Sequence, residues 1–364
     1  MMEQNHVLNV GIIGLGEVAQ VIHLPVLQSL PQHYRITALC DVSPKLLQHL
    51  GEQYRVENLY TDMNDLVRQE DIDVVLVLNS DEYHADCAIA AANQKKHVLI
   101  EKPMCLTFAE ADAIIEARDR NQIQIMIGYM RRYAPAFVQA VKEIGGIEHI
   151  GYARIRDIIG PNSFFVRQSS HTVMFNDIPE PNKAERKQRA ERLGQEATGL
   201  TPDDPLFGFY RFLAGLGSHD LSAMREAIGM PKSVIGAKLA MQPESMFLNV
   251  IFDYGTFSVT YETGSDQQGR FDAHVEVYGS RKSVKVQYDT PYIRHLPTKL
   301  YIEETEGEVF KETVIRPTFT DPYTHELKAL HELIVNNGTP KTTPEDARED
   351  LVVFGMIMEA LQRT

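Results

Sequence analysis

Gly14, Gly16 and Ala19 form a G-x-G-x-x-A pattern between an apolar run, Val7 to Ile13, and a helical pattern, Val18 to Leu30. Gly14 permits the tight turn, Gly16 lets the backbone approach a pyrophosphate, and Ala19 lets the helix pack close to the strand. Glu17 and Val18 open the helix, where unpaired N–H groups and a partial positive charge favour phosphate. A second apolar run, Arg35 to Cys40, ends at Asp41. A carboxylate there accepts from a ribose 2′-hydroxyl and repels a 2′-phosphate. Neither Val42 nor Ser43 offers a compensating charge, which favours NAD over NADP.

Glu101-Lys102-Pro103 directly follows the run ending at Ile100. In an open α/β sheet, the carboxyl ends of the strands border the ligand crevice. A lysine held there reaches over a nicotinamide ring; a Lys–Pro surface turn is the other reading. Pro103 is expected to keep Lys102 extended. Asn79 follows the strand Val74 to Leu78, and His84 opens the next helix, suiting either the cofactor crevice or helix-start packing. Tyr129 and Arg132 stand just past Gly128, placed for substrate hydroxyls or for bracing the domain junction. Arg131 and Arg132 equally suit solvated or domain–domain salt bridges.

Strands and helices must position these groups. Strands Val7–Ile13, Arg35–Cys40, Val74–Leu78, His97–Ile100 and Ile123–Ile127 alternate with helices and are short and mainly apolar, as in a parallel sheet covered on both faces. Ser43 and Pro44 suit a helix start, and Thr107 with Glu110 forms a capping box. Beyond Gly128 the pattern changes. A helix, Ala134 to Ile144, precedes seven strand patterns: Ile150–Ile158, Ser233–Ala240, Met246–Phe252, Phe257–Thr263, His274–Gly279, Lys282–Tyr288 and Lys299–Glu304. These predict a mostly antiparallel sheet. Asp220–Ile228, Tyr323–Asn336 and Glu345–Leu361 read as helices. Expected fold: an N-terminal Rossmann-type parallel sheet over 1–128, then a second α/β domain over 129–364 with an open, mostly antiparallel sheet. The closing helices are placed to pack back on the first domain. Gly160 to Phe212, interrupted by prolines around a charged helix from Lys183 to Glu196, reads as a surface excursion or as a lid or partner-contact element.

With 36 basic and 50 acidic residues the net charge is −14, which opposes nucleic-acid binding. No run reaches the length of a membrane span, and no secretory signal opens the chain, so a cytoplasmic protein with three reduced cysteines is expected. The 13 histidines are scattered without a metal-binding spacing, so no metal is assigned.

The chain resembles the glucose–fructose oxidoreductase and inositol 2-dehydrogenase family. The resemblance rests on Gly11–Ala19, His84, His97–Pro103, Gly128-Tyr-Met-Arg-Arg-Tyr133 with Pro135, Gly217–Gly229 around His219, Asp321-Pro-Tyr with Glu326, and Thr343-Pro-Glu-Asp346. It implies an NAD-dependent dehydrogenase acting on a sugar or polyol, and a homodimer or homotetramer built through the second domain's open sheet. It makes Lys102 catalytic and gives His219 a role in proton transfer. The aspartate usual four residues before that histidine is Gly215 here, and the acidic position three residues after it is Ser222. Asp220 adjoins His219 but should point elsewhere on a helix; Asp157, Asp177 and His171 are other sources of a polar group. Two further functions fit the same scaffold: a tight-cofactor enzyme oxidising one sugar while reducing another, and a non-enzymatic nucleotide-binding regulatory or structural protein.

Overall fold

In the computed structural model, which describes residues 6–363, two compact units form. One comprises the chain up to Gly128 together with His171–Arg211 and Glu326–Leu351; the other comprises Tyr129–Ser170, Phe212–His325 and the residues from Val352 onward.

The first unit is built on strands β1 (Leu8–Ile13), β2 (Tyr34–Cys40), β3 (Asn58–Tyr60), β4 (Val74–Val77), β5 (His97–Glu101) and β6 (Ile125–Gly128). Every neighbouring pair is parallel and the order is β3-β2-β1-β4-β5-β6. All four β4 residues and all four of β6 are buried, as expected for strands covered on both faces. Sequence order reverses between β1 and β4, the switch point beside which such sheets bind ligands. The short, partly exposed β3 lacks an apolar pattern and escaped the sequence reading. The helix after the glycine turn opens through a wider turn over Ala19–His23 before Leu24–Ser29. Ser43 caps Pro44–Tyr54, and Thr107 and Glu110 form the expected box at the start of Phe108–Asn121.

Late sequence completes this unit. Ile127 N–H donates to the Thr342 carbonyl at 3.0 Å, and Thr342 Oγ1 donates to the Ile127 carbonyl at 2.8 Å, along β6. Arg118 grips Glu345 with two hydrogen bonds of 2.7 and 2.5 Å, the main influence holding that carboxyl down at about 2.

The second unit carries β7 (Ile150–Ile159), β8 (Ser233–Gln242), β9 (Ser245–Asp253), β10 (Ser258–Ser265), β11 (Phe271–Gly279), β12 (Lys282–Tyr288), β13 (Lys299–Glu306) and β14 (Val309–Ile315). Their order is β14-β13-β12-β11-β7-β10-β9-β8, antiparallel except for β7 beside β10. The sheet is thus mixed, with one parallel pair inside an antiparallel frame. Helices Pro135–Gly145 and Ser218–Ile228 pack on this sheet. One register row on the opposite side runs Ile251, Thr260, Arg154, Glu276, Lys285, Tyr301, Val314. Arg156 on the same side pairs with Asp272 at 2.9 Å and Glu262 at 3.4 Å. That side is therefore charged at its centre, and toward its edges Ile251 and Val314 are accompanied by the charged Lys238 and Glu312. No helix among the described residues is long and apolar enough to cross a membrane.

Candidate active site

The strand ends of the first unit bring most of the sequence-predicted cofactor residues to one edge. Gly14 takes φ +92°, and a β-carbon there would lie 2.4 Å from the Asn79 backbone nitrogen, so only glycine fits between β1 and β4. At Gly16 an added β-carbon would meet nothing within 4 Å. Space above Gly16 and a dense floor beneath Gly14 are what a pyrophosphate cradle requires. The first intrahelical bond runs from Gln20 N–H to the Gly16 carbonyl at 3.0 Å, which leaves the amides of Glu17 and Val18 in the first turn, outside that ladder. Asp41 braces the turn: its carboxylate accepts from Leu15 N–H at 2.8 Å and Ser43 N–H at 2.9 Å. Burial raises the Asp41 carboxyl most strongly, with those two bonds acting against it.

Asp41, Gly14, Asn79 and Lys102 follow β2, β1, β4 and β5, four adjacent strands. Three inter-strand steps of about 4.8 Å span about 14 Å. A dinucleotide laid across them would be held by Asp41 at its adenosine ribose, by the glycine turn at its pyrophosphate and by Lys102 at its reactive end. The residues present therefore fit a nicotinamide dinucleotide.

At the Lys102 end, the buried Glu101 carboxylate accepts from Lys102 N–H at 3.1 Å and lies 2.7 Å from His23 Nε2. Burial is the largest single influence and pushes Glu101 up, but the His23 hydrogen bond and the His23 and Lys102 charges together carry it below the usual carboxylate range. Glu101 thus holds negative charge beside the lysine. The Lys102–Pro103 peptide is cis. His84 is buried, its Nδ1 2.7 Å from the Pro103 carbonyl and its Nε2 3.0 Å from the Asn79 carbonyl, so it ties the loops after β4 and β5 together.

The excursion joins this edge as well. Gln20 exchanges hydrogen bonds with the Val173 backbone at 3.0 and 2.9 Å while donating to the Leu15 carbonyl. Asp177 reaches Ser43 and Lys45. Arg186 and Arg211 both bind the Glu82 carboxylate, at 2.7 and 2.8 Å. Burial pushes Glu82 up, yet its coupling to Asp81, whose own carboxyl is pushed up, and the hydrogen bonds from Ser80 and Arg186 bring it down to about 2. Arg189 stacks over Tyr83 at 4.6 Å. This segment thus packs on the helix after the glycine turn and on the residues that follow β2 and β4.

In the second unit, His219 is buried on Ser218–Ile228, and the Ser222 hydroxyl turns back to the His219 carbonyl at 3.3 Å. A β-carbon at Gly215 would meet nothing within 4 Å, so crowding does not explain the glycine. Asp220 binds Arg131, whose guanidinium also donates to Asp157 at 3.0 Å. Tyr288 faces that guanidinium at 5.0 Å. Burial opposes the Arg131 charge, but the two aspartates outweigh it and raise its pKa. Arg132 pairs with Glu226 and lies 5.7 Å from the Tyr129 ring; both Tyr129 and Arg132 are buried. The arginine pair thus forms salt bridges that are buried inside this unit, rather than the solvated or domain–domain bridges expected.

Gln20, His23, Glu82 and the Arg131 cluster were not singled out from sequence. His23 and Glu101 lie 78 positions apart, and only the fold makes them neighbours.

Residues 8–129 match the model of an oxidoreductase family with an NAD-binding Rossmann fold. A myo-inositol 2-dehydrogenase of Thermotoga maritima is 30% identical over 350 residues, 95% of this chain and 94% of that protein. The chain belongs to this oxidoreductase family. An inositol 2-dehydrogenase of Salmonella typhimurium is 37% identical over 134 residues, which make up 36% of this chain and only 40% of that relative's length. Among solved structures, aldose-aldose oxidoreductase from Caulobacter crescentus, complexed with glycerol, has TM-score 0.72 at 21% identity, covering 98% of each chain. Levoglucosan dehydrogenase in complex with NADH and levoglucosan has TM-score 0.74 at 18% identity, with 98% of each chain covered. This family member therefore shares its whole two-unit fold with both.

Proposed function

We propose that this chain is an NAD-dependent oxidoreductase that transfers a hydride between nicotinamide and a secondary hydroxyl or keto carbon of a sugar or polyol. The observation carrying this reading is the alignment of Asp41, Gly14–Gly16, Asn79 and Lys102 along four adjacent strand ends. The inositol 2-dehydrogenases among its relatives support a hydroxyl-rich substrate.

The nicotinamide supplies the hydride acceptor. The chain must handle the alcohol proton. We assign that work to Lys102 and His219. The Lys102 ammonium hydrogen-bonds the reacting oxygen and stabilises its developing charge; the His219 imidazole takes the proton. Glu101 positions Lys102 through its backbone N–H. Tyr129 and Arg132 are assigned to substrate binding, Arg132 oriented by Glu226.

The test is reduction of NAD with a panel of inositols, aldoses and other polyols, alongside titration of NAD and NADP into the wild type and Asp41→Ser. The wild type is expected to oxidise a member of the panel and to bind NAD more tightly, with Asp41→Ser narrowing the difference. NAD binding without turnover across the panel would overturn the enzyme reading in favour of a nucleotide-binding regulator, which the absent carboxylates at Gly215 and Ser222 favour. A preference for NADP would overturn the cofactor assignment.

We also propose a homodimer or homotetramer formed through the open side of the eight-stranded sheet. Because Arg154, Glu276 and Lys285 sit at its centre, assembly there places charged groups in the interface and should respond to salt. Light scattering over a dilution series at two ionic strengths is expected to show dissociation that shifts with salt; a monomer at every concentration refutes it.

A further inference from the structure

The helix Pro44–Tyr54 starts just past Asp41, at the end of the sheet edge where an adenosine ribose is placed by our reading of the cofactor. Its first turn has the features of an anion site. Ser43 presents a hydroxyl, Lys45 an amide N–H and a cationic side chain, and the helix itself a partial positive charge. A ribose 2′-phosphate is the anion such a turn would receive, and Lys45 is the cation that would welcome it.

That turn is already filled. Asp177, from the excursion, accepts from Ser43 Oγ at 2.5 Å with one carboxylate oxygen and from Lys45 N–H at 2.8 Å with the other. These are the two donors a phosphate would use. Asp177 lies 134 positions from Ser43 in sequence, so the carboxylate comes from outside the strand–turn–helix motif. The bond from Ser43 is the main influence holding the Asp177 carboxyl below its usual range, with the Lys45 amide and charge adding to it. Asp41 feels the Asp177 charge, which pushes its own carboxyl up. Two carboxylates thus flank one short turn: Asp41 bonded to the amides of Leu15 and Ser43, and Asp177 bonded to the hydroxyl of Ser43 and the amide of Lys45.

We propose that Asp177 is a specificity-determining residue that excludes 2′-phosphorylated nucleotides by occupying the donors a 2′-phosphate needs and by setting a second negative charge beside Asp41. The selection of NAD is then shared between the motif residue Asp41 and the excursion, and it rests on the NAD reading given above. A 2′-hydroxyl, being uncharged and small, meets no such obstacle. The excursion also contacts the glycine turn through Val173 and Gln20, so its docking and the filling of this turn go together.

The experiment titrates NADH and NADPH by fluorescence, and 5′-AMP and adenosine 2′,5′-bisphosphate by calorimetry, into the full chain. The proteins are wild type, Asp41→Ser, Asp177→Asn and Asp177→Glu. Asp177→Asn keeps an acceptor oxygen but removes the charge, and is expected to move the NADH-to-NADPH affinity ratio about tenfold toward NADPH, the scale of one close charge at a partly exposed site. The same shift should separate adenosine 2′,5′-bisphosphate from 5′-AMP, and should shrink in high salt. Asp177→Glu is expected to keep the wild-type ratio. A wild type that prefers NADPH overturns the NAD reading itself. A wild type that prefers NADH, with a ratio moved by Asp41→Ser but not by Asp177→Asn, overturns the role of Asp177 alone. Equal shifts in Asp177→Asn and Asp177→Glu also overturn it, because they would make the effect one of packing rather than charge.

Discussion

In a protein carrying Lys102→Met, NAD should bind with nearly wild-type affinity while hydride transfer falls about 10²–10⁴-fold, the usual contribution of a general acid–base group. Methionine keeps much of the lysine's reach and loses its charge and hydrogen bonds. The cofactor edge should survive, because the glycine turn and Asp41 lie two and three strands away and are held by their own hydrogen bonds. Glu101 keeps its bond from the residue-102 amide and from His23, so the loop after β5 retains its brace. Calorimetry gives the affinity. Turnover of an identified polyol with deuterium at the reacting carbon separates the chemical step from product release. Unchanged chemistry in a folded, NAD-binding variant removes Lys102 from catalysis. His219→Asn belongs in the same series: if it alone stops the chemistry, the base is wholly His219 and Lys102 only positions.

The second large effect is on stability. Replacing Arg131 by Met should lower the unfolding free energy by about 3–5 kcal/mol, the cost of stranding buried charges when their partner is removed. The Arg131, Asp157 and Asp220 side chains are 2%, 0% and 1% exposed, so water cannot take over the lost role. Lysine should rescue little, since one ammonium cannot reproduce the planar fork that reaches both carboxylates and faces Tyr288. Adding Asp157→Asn and Asp220→Asn to Arg131→Met should recover part of the loss, because the three groups act as one network. Urea unfolding of the single and triple variants measures both effects. A loss below about 1 kcal/mol in Arg131→Met would show that the cluster is not a buried ionic network.

The cluster also shows why one half of the candidate site was less legible than the other. The glycine turn, the Ser43 cap and the Thr107–Glu110 box are local: each needs residues a few positions apart, and each is formed. β1, β4 and β6 are buried nearly throughout, so composition alone marks them. β14 carries Glu312 and Lys311 among exposed residues and has no buried face to leave a pattern, so it was missed. Asp157 and Asp220 lie 26 and 89 positions from Arg131, and no periodicity links them. Sequence could place Asp220 away from its neighbour His219 on a helix, but not name the arginine it meets. The proline-broken excursion carries no repeat that says which surface it covers; Gln20, Ser43 and Glu82 supply that answer only after folding.

The first unit closes on itself late in the chain. Its sheet occupies the first 128 residues, but β6 is bordered by Thr342, and Tyr34 Oη bonds the Leu327 carbonyl at 2.6 Å. During synthesis these partners emerge more than two hundred residues after the strands that need them, so the nucleotide-binding core leaves the ribosome with part of its border missing. Contacts of such long sequence separation slow folding and prolong exposure of unfinished surface. The parallel sheet must wait for nearly the whole polypeptide before it is sealed. A fragment ending at Gly128 would carry every residue of the glycine motif and still lack the segments that finish its core.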